Sequence, residues 1–264
     1  SEIYRERRYP SVTSLKSKYP SNLKPCTFIS GIQSTDQKFH YNTSIEYVIL
    51  DSSVKEIATT NERGSFQNCS SLSQVSIYSV ISIGINSFFK CSSLKEIVIP
   101  SSVTTIGNQS FCECFNLEKI SLSSSLISIG EHAFRGCSSL SQITIPNTVT
   151  SIGQSAFCEC KSLMRVSLSS SLKSLPKCLF SKCSALYDIS LPTSIETIGE
   201  SVFEKCSSLR QILIPSSVRS IGSYAFYKCI SIREMNIPSY VHSIGTWAFN
   251  SCKSLKKITI CSSF

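Results

Sequence analysis

The sequence predicts a repeat solenoid, and three observations carry that prediction. Nine times between Phe66 and Cys252 the chain writes Phe-x-x-Cys-x-x-Leu-x-x-Ile-x-Ile, with minor variation. From Cys91 through Cys114 and Cys137 to Cys252, the cysteines of this motif recur every 23 residues. Glycine keeps the same register at positions 84, 107, 130, 153, 199, 222 and 245. A fixed period of about 20–50 residues is the mark of a solenoid in which each repeat is one coil. The 264 residues therefore form one repeat domain, although the length alone would suggest two.

Each coil can be read in order. Phenylalanine stands three residues before every column cysteine, and leucine (once isoleucine, at Ile232) three residues after it. Six and eight residues after it come pairs such as Ile97/Ile99, Ile143/Ile145 and Ile212/Ile214, whose alternation puts both side chains on one face of a short strand. Pairs such as Val103/Ile106, Val149/Ile152 and Val218/Ile221 follow. Roughly six inward side chains per coil cannot offset the conformational entropy of ordering a lone coil, so neighbours must stack. At about 4.8 Å per coil, nine to ten coils make a rod or shallow arc on the order of 40 Å long.

Punctuation completes the coil. The glycine column marks a positive φ or a close approach between coils. Pro176 takes its place once, which predicts a local irregularity. Prolines 100, 146, 192, 215 and 238 follow the strand pair and should end strand pairing there. Segments such as Asn108-Gln109-Ser110 and Glu131-His132-Ala133 are long enough for one helical turn. The stretch Cys69 to Cys91 is one residue short, and Ile57 to Phe66 is about four residues longer than its counterparts.

The strand segment is similar to the leucine-rich repeat consensus without its ladder asparagine. The full unit from Ser139 to Cys160, with Pro146-x-x-Val149-x-x-Ile152-Gly153-x-x-Ala156-Phe157-x-x-Cys160 at its centre, resembles the BspA-like leucine-rich repeat family over roughly Ile45 to Ile260. The resemblance implies a right-handed leucine-rich-repeat solenoid with strands lining one face, used for binding and often for adhesion at a cell surface. It carries no catalytic residues to transfer.

The chain is expected to be non-enzymatic. Only His40, His132 and His242 could act as a base near neutral pH, and no Ser or Cys motif sets a nucleophile beside one. No glycine cluster could cradle a phosphate, so no cofactor is expected. Of the 14 cysteines, nine form the repeat column, where Cys serves as a small buried hydrophobe. Parallel inward thiols have a poor dihedral for bonding, which favours reduced cysteines over a disulfide ladder. Cys112-Glu113-Cys114 and Cys158-Glu159-Cys160 lie two coils apart, roughly 10 Å, and no Cys-x-x-Cys pair exists, so no metal site is expected.

Binding capacity falls on two solenoid surfaces and on an arm. Between the inward strand positions the outward column is mostly hydroxylic, Ser76, Ser121, Thr144, Ser167 and Ser190 among them, without the aromatic clustering of a protein hot spot. Tyr224 and Trp247 share another column, at the turn edge, and with Tyr227 make a better contact patch. Residues 1–44 lack the repeat and read as a basic Tyr/Pro-containing arm ahead of a 45–264 solenoid. Residues 1–24 carry six cations, including Arg5, Arg7, Arg8, Lys16 and Lys18, against two carboxylates, a net of +4 in a chain of +9. No nucleic-acid reader motif accompanies that charge, and an acidic protein surface is the expected partner. The sequence has no run of 18 apolar residues. Two roles stand open: a protein-binding scaffold at a cell surface, or an intracellular, cytoskeleton-associated scaffold docked through its arm on an acidic polymer. Unpaired thiols favour a reducing compartment for the second.

Overall fold

The chain is seen in a computed structural model that describes residues 26–29, 34–35, 39–57, 59–60 and 63–260. Stacked coils run the length of the described chain. Ten phenylalanine rings, from Phe39 to Phe249, lie nearly parallel with centroids 5.1–5.8 Å apart. The rings from Phe66 to Phe226 are fully buried, as are the column cysteines beside them.

Three hydrogen-bond ladders hold the coils together. On the strand face, Lys119–Ser121 pairs in parallel with Glu96–Val98, placing Ile120 opposite Ile97. On the rear face, Thr105–Ile106, Ser128–Ile129 and Ser151–Ile152 pair in the same way. Residues 23 apart are thus laid over one another, which turns each sequence column into a row of the solid. The third ladder runs along the turns. The amides of Gln109, Phe111 and Glu113 donate to the carbonyls of Glu131, Ala133 and Arg135 in the next coil, at 2.8, 2.8 and 2.7 Å.

That third ladder corrects one expectation, because the segment before each phenylalanine forms turns and no helical turn. Every second amide leaves its own coil, while those of Ser110, Cys112 and Cys114 bond three residues back. Positions five before and one before the cysteine are left-handed, as at Gln109 (φ 53°) and Glu113 (φ 59°), and a right-handed helix cannot include them.

The glycine column answers to close approach rather than to φ. A Cβ on Gly153 would lie 2.3 Å from the Glu131 nitrogen of the preceding coil. Gly153 also donates its amide to Ile129, 2.8 Å away. Pro176 has no such donor for Ile152, and the rear ladder splits between Ser151–Ile152 and Ser174–Leu175. The irregularity expected at Pro176 is therefore a missing rung. The prolines after the strand open turns, as when Pro146 accepts the amide of Val149 at 3.0 Å. Where Ser169 replaces proline, its buried hydroxyl donates to the Val149 carbonyl and accepts the Ser171 amide.

The parallel ladder extends upstream of residue 45. Cys26–Ile29 pairs with Tyr47–Leu50, which pairs with Gln74–Ile77. Phe39, Asn42, Ile45, Val48 and Leu50 fill the Phe, Cys, Leu and strand columns of one more coil. Asn42 in the cysteine place hid it, as did the extra residues before Phe66, which form a small antiparallel hairpin, Thr59–Thr60 with Arg63–Gly64. In place of a thiol, the Asn42 Oδ1 accepts the amides of Ser44 and Ile45. Among the described residues no helix is long and apolar enough to cross a membrane.

Candidate interaction surfaces

The strand face is set by alternation, since every inward strand residue forces its neighbour outward. Ser121, Thr144, Ser167 and Ser190 are accordingly exposed. From Ser76 onward the hydroxylic column has two aliphatic interruptions, Val98 (66% exposed) and Leu213 (78%). Each borders a concavity. One, of about 520 Å³, is lined by Tyr47, Tyr78, Glu96 and Val98 among others. The other, of about 440 Å³, is lined by Tyr187, Asp188, Ser190, Gln211, Leu213 and Glu234 among others. At the second, the strand ladder is open: Asp188–Ser190 and Glu234–Ile237 belong to different sheets, and the coil between them adds no strand. Behind that opening the stack stays closed. Thr197–Ile198 still pairs with Ser220–Ile221, and the Phe203 amide still donates to Ala225 at 2.8 Å. The gap therefore belongs to the front of the coil alone.

At the turn edge stand Tyr224, Tyr227 and Trp247. Tyr224 and Trp247 occupy the left-handed position five before the cysteine, with φ of 58° and 63°. Other coils fill that place with Asn86, Gln109, His132, Ser155, Cys178 or Ser201. A bulky aromatic is unfavourable in left-handed backbone, where short polar residues are at home. Neither ring contributes to the core, for Tyr224 is 38% and Trp247 53% exposed. The Tyr224 amide donates to Thr246 at 3.0 Å, which fixes the two aromatics in adjacent coils. Tyr227 meets Tyr224 edge to face, with centroids 5.6 Å apart, and the Lys228 Nζ lies 5.1 Å from the Tyr227 ring centre. Tyr224 and Tyr227 are thus in ring contact, and Trp247 stands exposed one coil on. Arg5, Arg7, Arg8, Lys16 and Lys18 lie outside the described residues.

Charges elsewhere on the turns answer one another from coil to coil. Lys90 faces Glu113 at 3.7 Å, Lys177 faces Glu200 at 2.9 Å, and Lys182 faces Glu159 at 2.6 Å. The Lys182 hydrogen bond holds the Glu159 carboxyl below its usual range, and Glu159 raises the pKa of Lys182. His132 occupies a turn position beside Arg135, and burial followed by that guanidinium lowers its pKa. Burial also lowers His40, with Arg63 adding to the effect.

The cysteine column has a function in packing that composition did not reveal. Each of its nine thiols donates to the carbonyl of the phenylalanine one coil earlier, at 3.0–3.2 Å. Burial drives the thiol pKa values up, to about 12 at Cys69 and Cys112 and about 11 at Cys158, and raises Cys160 and the other buried column thiols as well. A thiol so held is protonated at neutral pH, whereas the nucleophile is the thiolate.

Comparison with known proteins agrees with this geometry. A family model described as a BspA type leucine rich repeat region matches in six copies, over residues 11–61, 59–187 and 176–264. A leucine-rich repeat protein from Bacteroides ovatus is 33% identical, with a TM-score of 0.68, over 78% of this chain and 59% of its own. The chain thus spans little more than half the length of that relative. The leucine rich repeat protein of T. pallidum is 26% identical over 70% of this chain and 78% of its own, with a TM-score of 0.50. A leucine rich cell surface protein from Faecalibacterium prausnitzii, 24% identical over 85% of this chain and 75% of its own, shares the fold with a TM-score of 0.53. No curated protein matches the sequence. With the repeat motif, the parallel ladders and a family model that spans nearly the whole sequence in agreement, the chain belongs to the BspA-type leucine-rich repeat family.

Proposed function

We propose that this chain is a protein-recognition solenoid that acts by binding and carries out no reaction, and that Tyr224, Tyr227 and Trp247 form its principal contact. The observation that supports this most is the presence of two exposed aromatics at adjacent left-handed positions that other coils give to small or polar residues. Rigid aromatics presented to solvent are the side chains that contribute most at protein interfaces. Their placement weakens the fold locally, and a partner's surface supplies the compensating contact.

Two placements follow from different features. Family resemblance supports a scaffold at a cell surface, engaged in adhesion. The twelve free cysteines among the described residues support a reducing, intracellular setting, with the basic arm held on an acidic polymer of the cytoskeleton. The experiment is proximity labelling of the full chain in its own cells, wild type against a Tyr224→Ser/Trp247→Ser double variant. Equal melting temperatures with loss of the wild-type partners, and partners that are surface or cytoskeletal proteins, are the expected results. An unchanged partner list would overturn the patch.

A further inference from the structure

We propose that the C-terminal third of the strand face is a docking site for an acidic polypeptide segment with interspersed aliphatic residues. The proposal deepens the protein-recognition reading, on which it rests, at a second surface remote from the aromatic patch in the coil.

The first observation is electrostatic. Several cations on the solenoid face a carboxylate 23 residues away in the next coil, as in Arg165 with Asp188 (3.8 Å) and Lys173 with Glu196 (3.7 Å). Arg210, Arg233 and Lys256 instead lie over one another, since they share one column in three successive coils. All three are exposed and pair with no carboxylate among the described residues. Their coils rise by 5.3 and 5.4 Å at the corresponding phenylalanine rings. Like charges at that spacing repel, and among the described residues no carboxylate, the neighbouring Glu234 included, comes within ion-pair distance to relieve them. An anionic partner would.

The second observation is the shape beside the stripe. A concavity of about 340 Å³ is lined by Arg210, Gln211, Arg233 and Glu234. It shares Gln211 and Glu234 with the 440 Å³ concavity where the strand ladder is open. Leu213 stands there, the most exposed large apolar side chain among the described residues. Cations and an exposed aliphatic side by side match alternating acidic and aliphatic residues. A uniform polyanion would meet Glu234 without using Leu213. The chemistry therefore favours polypeptide over sulfated glycan or nucleic acid.

The test uses the full chain and a fluorescein-labelled peptide of alternating Glu and Leu, followed by anisotropy. Binding should weaken as salt rises, because exposed charge pairs are screened over about 8 Å at physiological ionic strength. Arg210→Gln with Arg233→Gln should weaken it by about tenfold or more, and Leu213→Ser by a few-fold with the salt dependence retained. A Lys-Leu peptide should not bind. The Tyr224→Ser/Trp247→Ser variant should bind the Glu-Leu peptide normally, so failure of the aromatic patch and failure of this site are read separately. No binding at low salt, or binding indifferent to the arginine substitutions, would overturn the proposal. So would heparin binding as tightly as the peptide with Leu213→Ser neutral, which would make the stripe a general polyanion surface.

Discussion

The thiol of Cys160 donates a hydrogen bond to the carbonyl of Phe134, 3.1 Å away in the preceding coil. That carbonyl already accepts the amide of Cys137 at 3.1 Å, so the thiol fills its second lone pair. Repetition along the stack joins the two most regular columns of the sequence, and it explains why a sulfur occupies a place that size alone would give to alanine. A weak donor suffices because the acceptor is never left unpaired.

The column thiols should be reduced and shielded in the native protein. Thiol titration is expected to find them slow to react before denaturation and available afterwards without reductant; a denatured count near zero would demonstrate a disulfide ladder. Their raised pKa also sets an alkaline limit. The unfolded chain releases thiol protons near the ordinary 9.0, while the folded chain holds them to about 12 at Cys69 in the column, and to about 11 at Cys158 and about 12 at Cys112 beside it. Their stabilising contribution is thus fully present below pH 9.0 and is lost as pH rises through the folded values. Melting temperature measured from pH 8 to pH 11 should fall beyond the unfolded pKa, and Cys158→Ala should flatten that fall.

Core and surface should separate sharply in mutants. Phe157→Ala removes a ring fully buried between Phe134 and Phe180 and should destabilise by roughly 3–5 kcal/mol. Ser167→Ala, on the exposed strand face, should change stability by less than about 0.5 kcal/mol. Equal midpoints in urea for the two variants would refute the assignment of inside and outside.

Gly153→Ala tests the close approach of coils. Its methyl would sit 2.3 Å from a backbone nitrogen that cannot swing away as a side chain could. A loss of about 1–3 kcal/mol is expected from the forced shift. The matching change at Gly136, where the nearest atom is the Glu113 Cγ at 3.4 Å, is a test of φ instead, since that glycine is left-handed at 75°. A neutral Gly153→Ala would remove close packing as the reason for the glycine column.

Removing residues 1–24 should leave the melting transition nearly unchanged, because the described ladder starts at Cys26. If the arm docks on an acidic partner, the truncation abolishes a salt-sensitive part of binding in extracts. Earlier melting or aggregation with retained binding would identify the arm as a cap on the first coil.

Period and residue type were enough to establish the solenoid, its inward columns and a local irregularity at Pro176, because stacking at a fixed period converts spacing along the chain directly into neighbours in space. The extra coil at Phe39 was legible as well, had Asn42 been accepted in the cysteine column. Other features required the tertiary structure. Whether a turn segment becomes a helix depends on where each amide finds its acceptor, and at Gln109 and Glu113 that acceptor lies in the next coil. The same column that looks merely aromatic at Tyr224 and Trp247 proves to be left-handed, and only φ angles show it. The open ladder around Leu213 leaves no mark on the motif, since Ile212 and Ile214 keep their inward places. Sequence determines which residues share a column; the distance between neighbouring columns, on which hydrogen bonds, strain and clefts depend, is decided by how whole coils settle against one another.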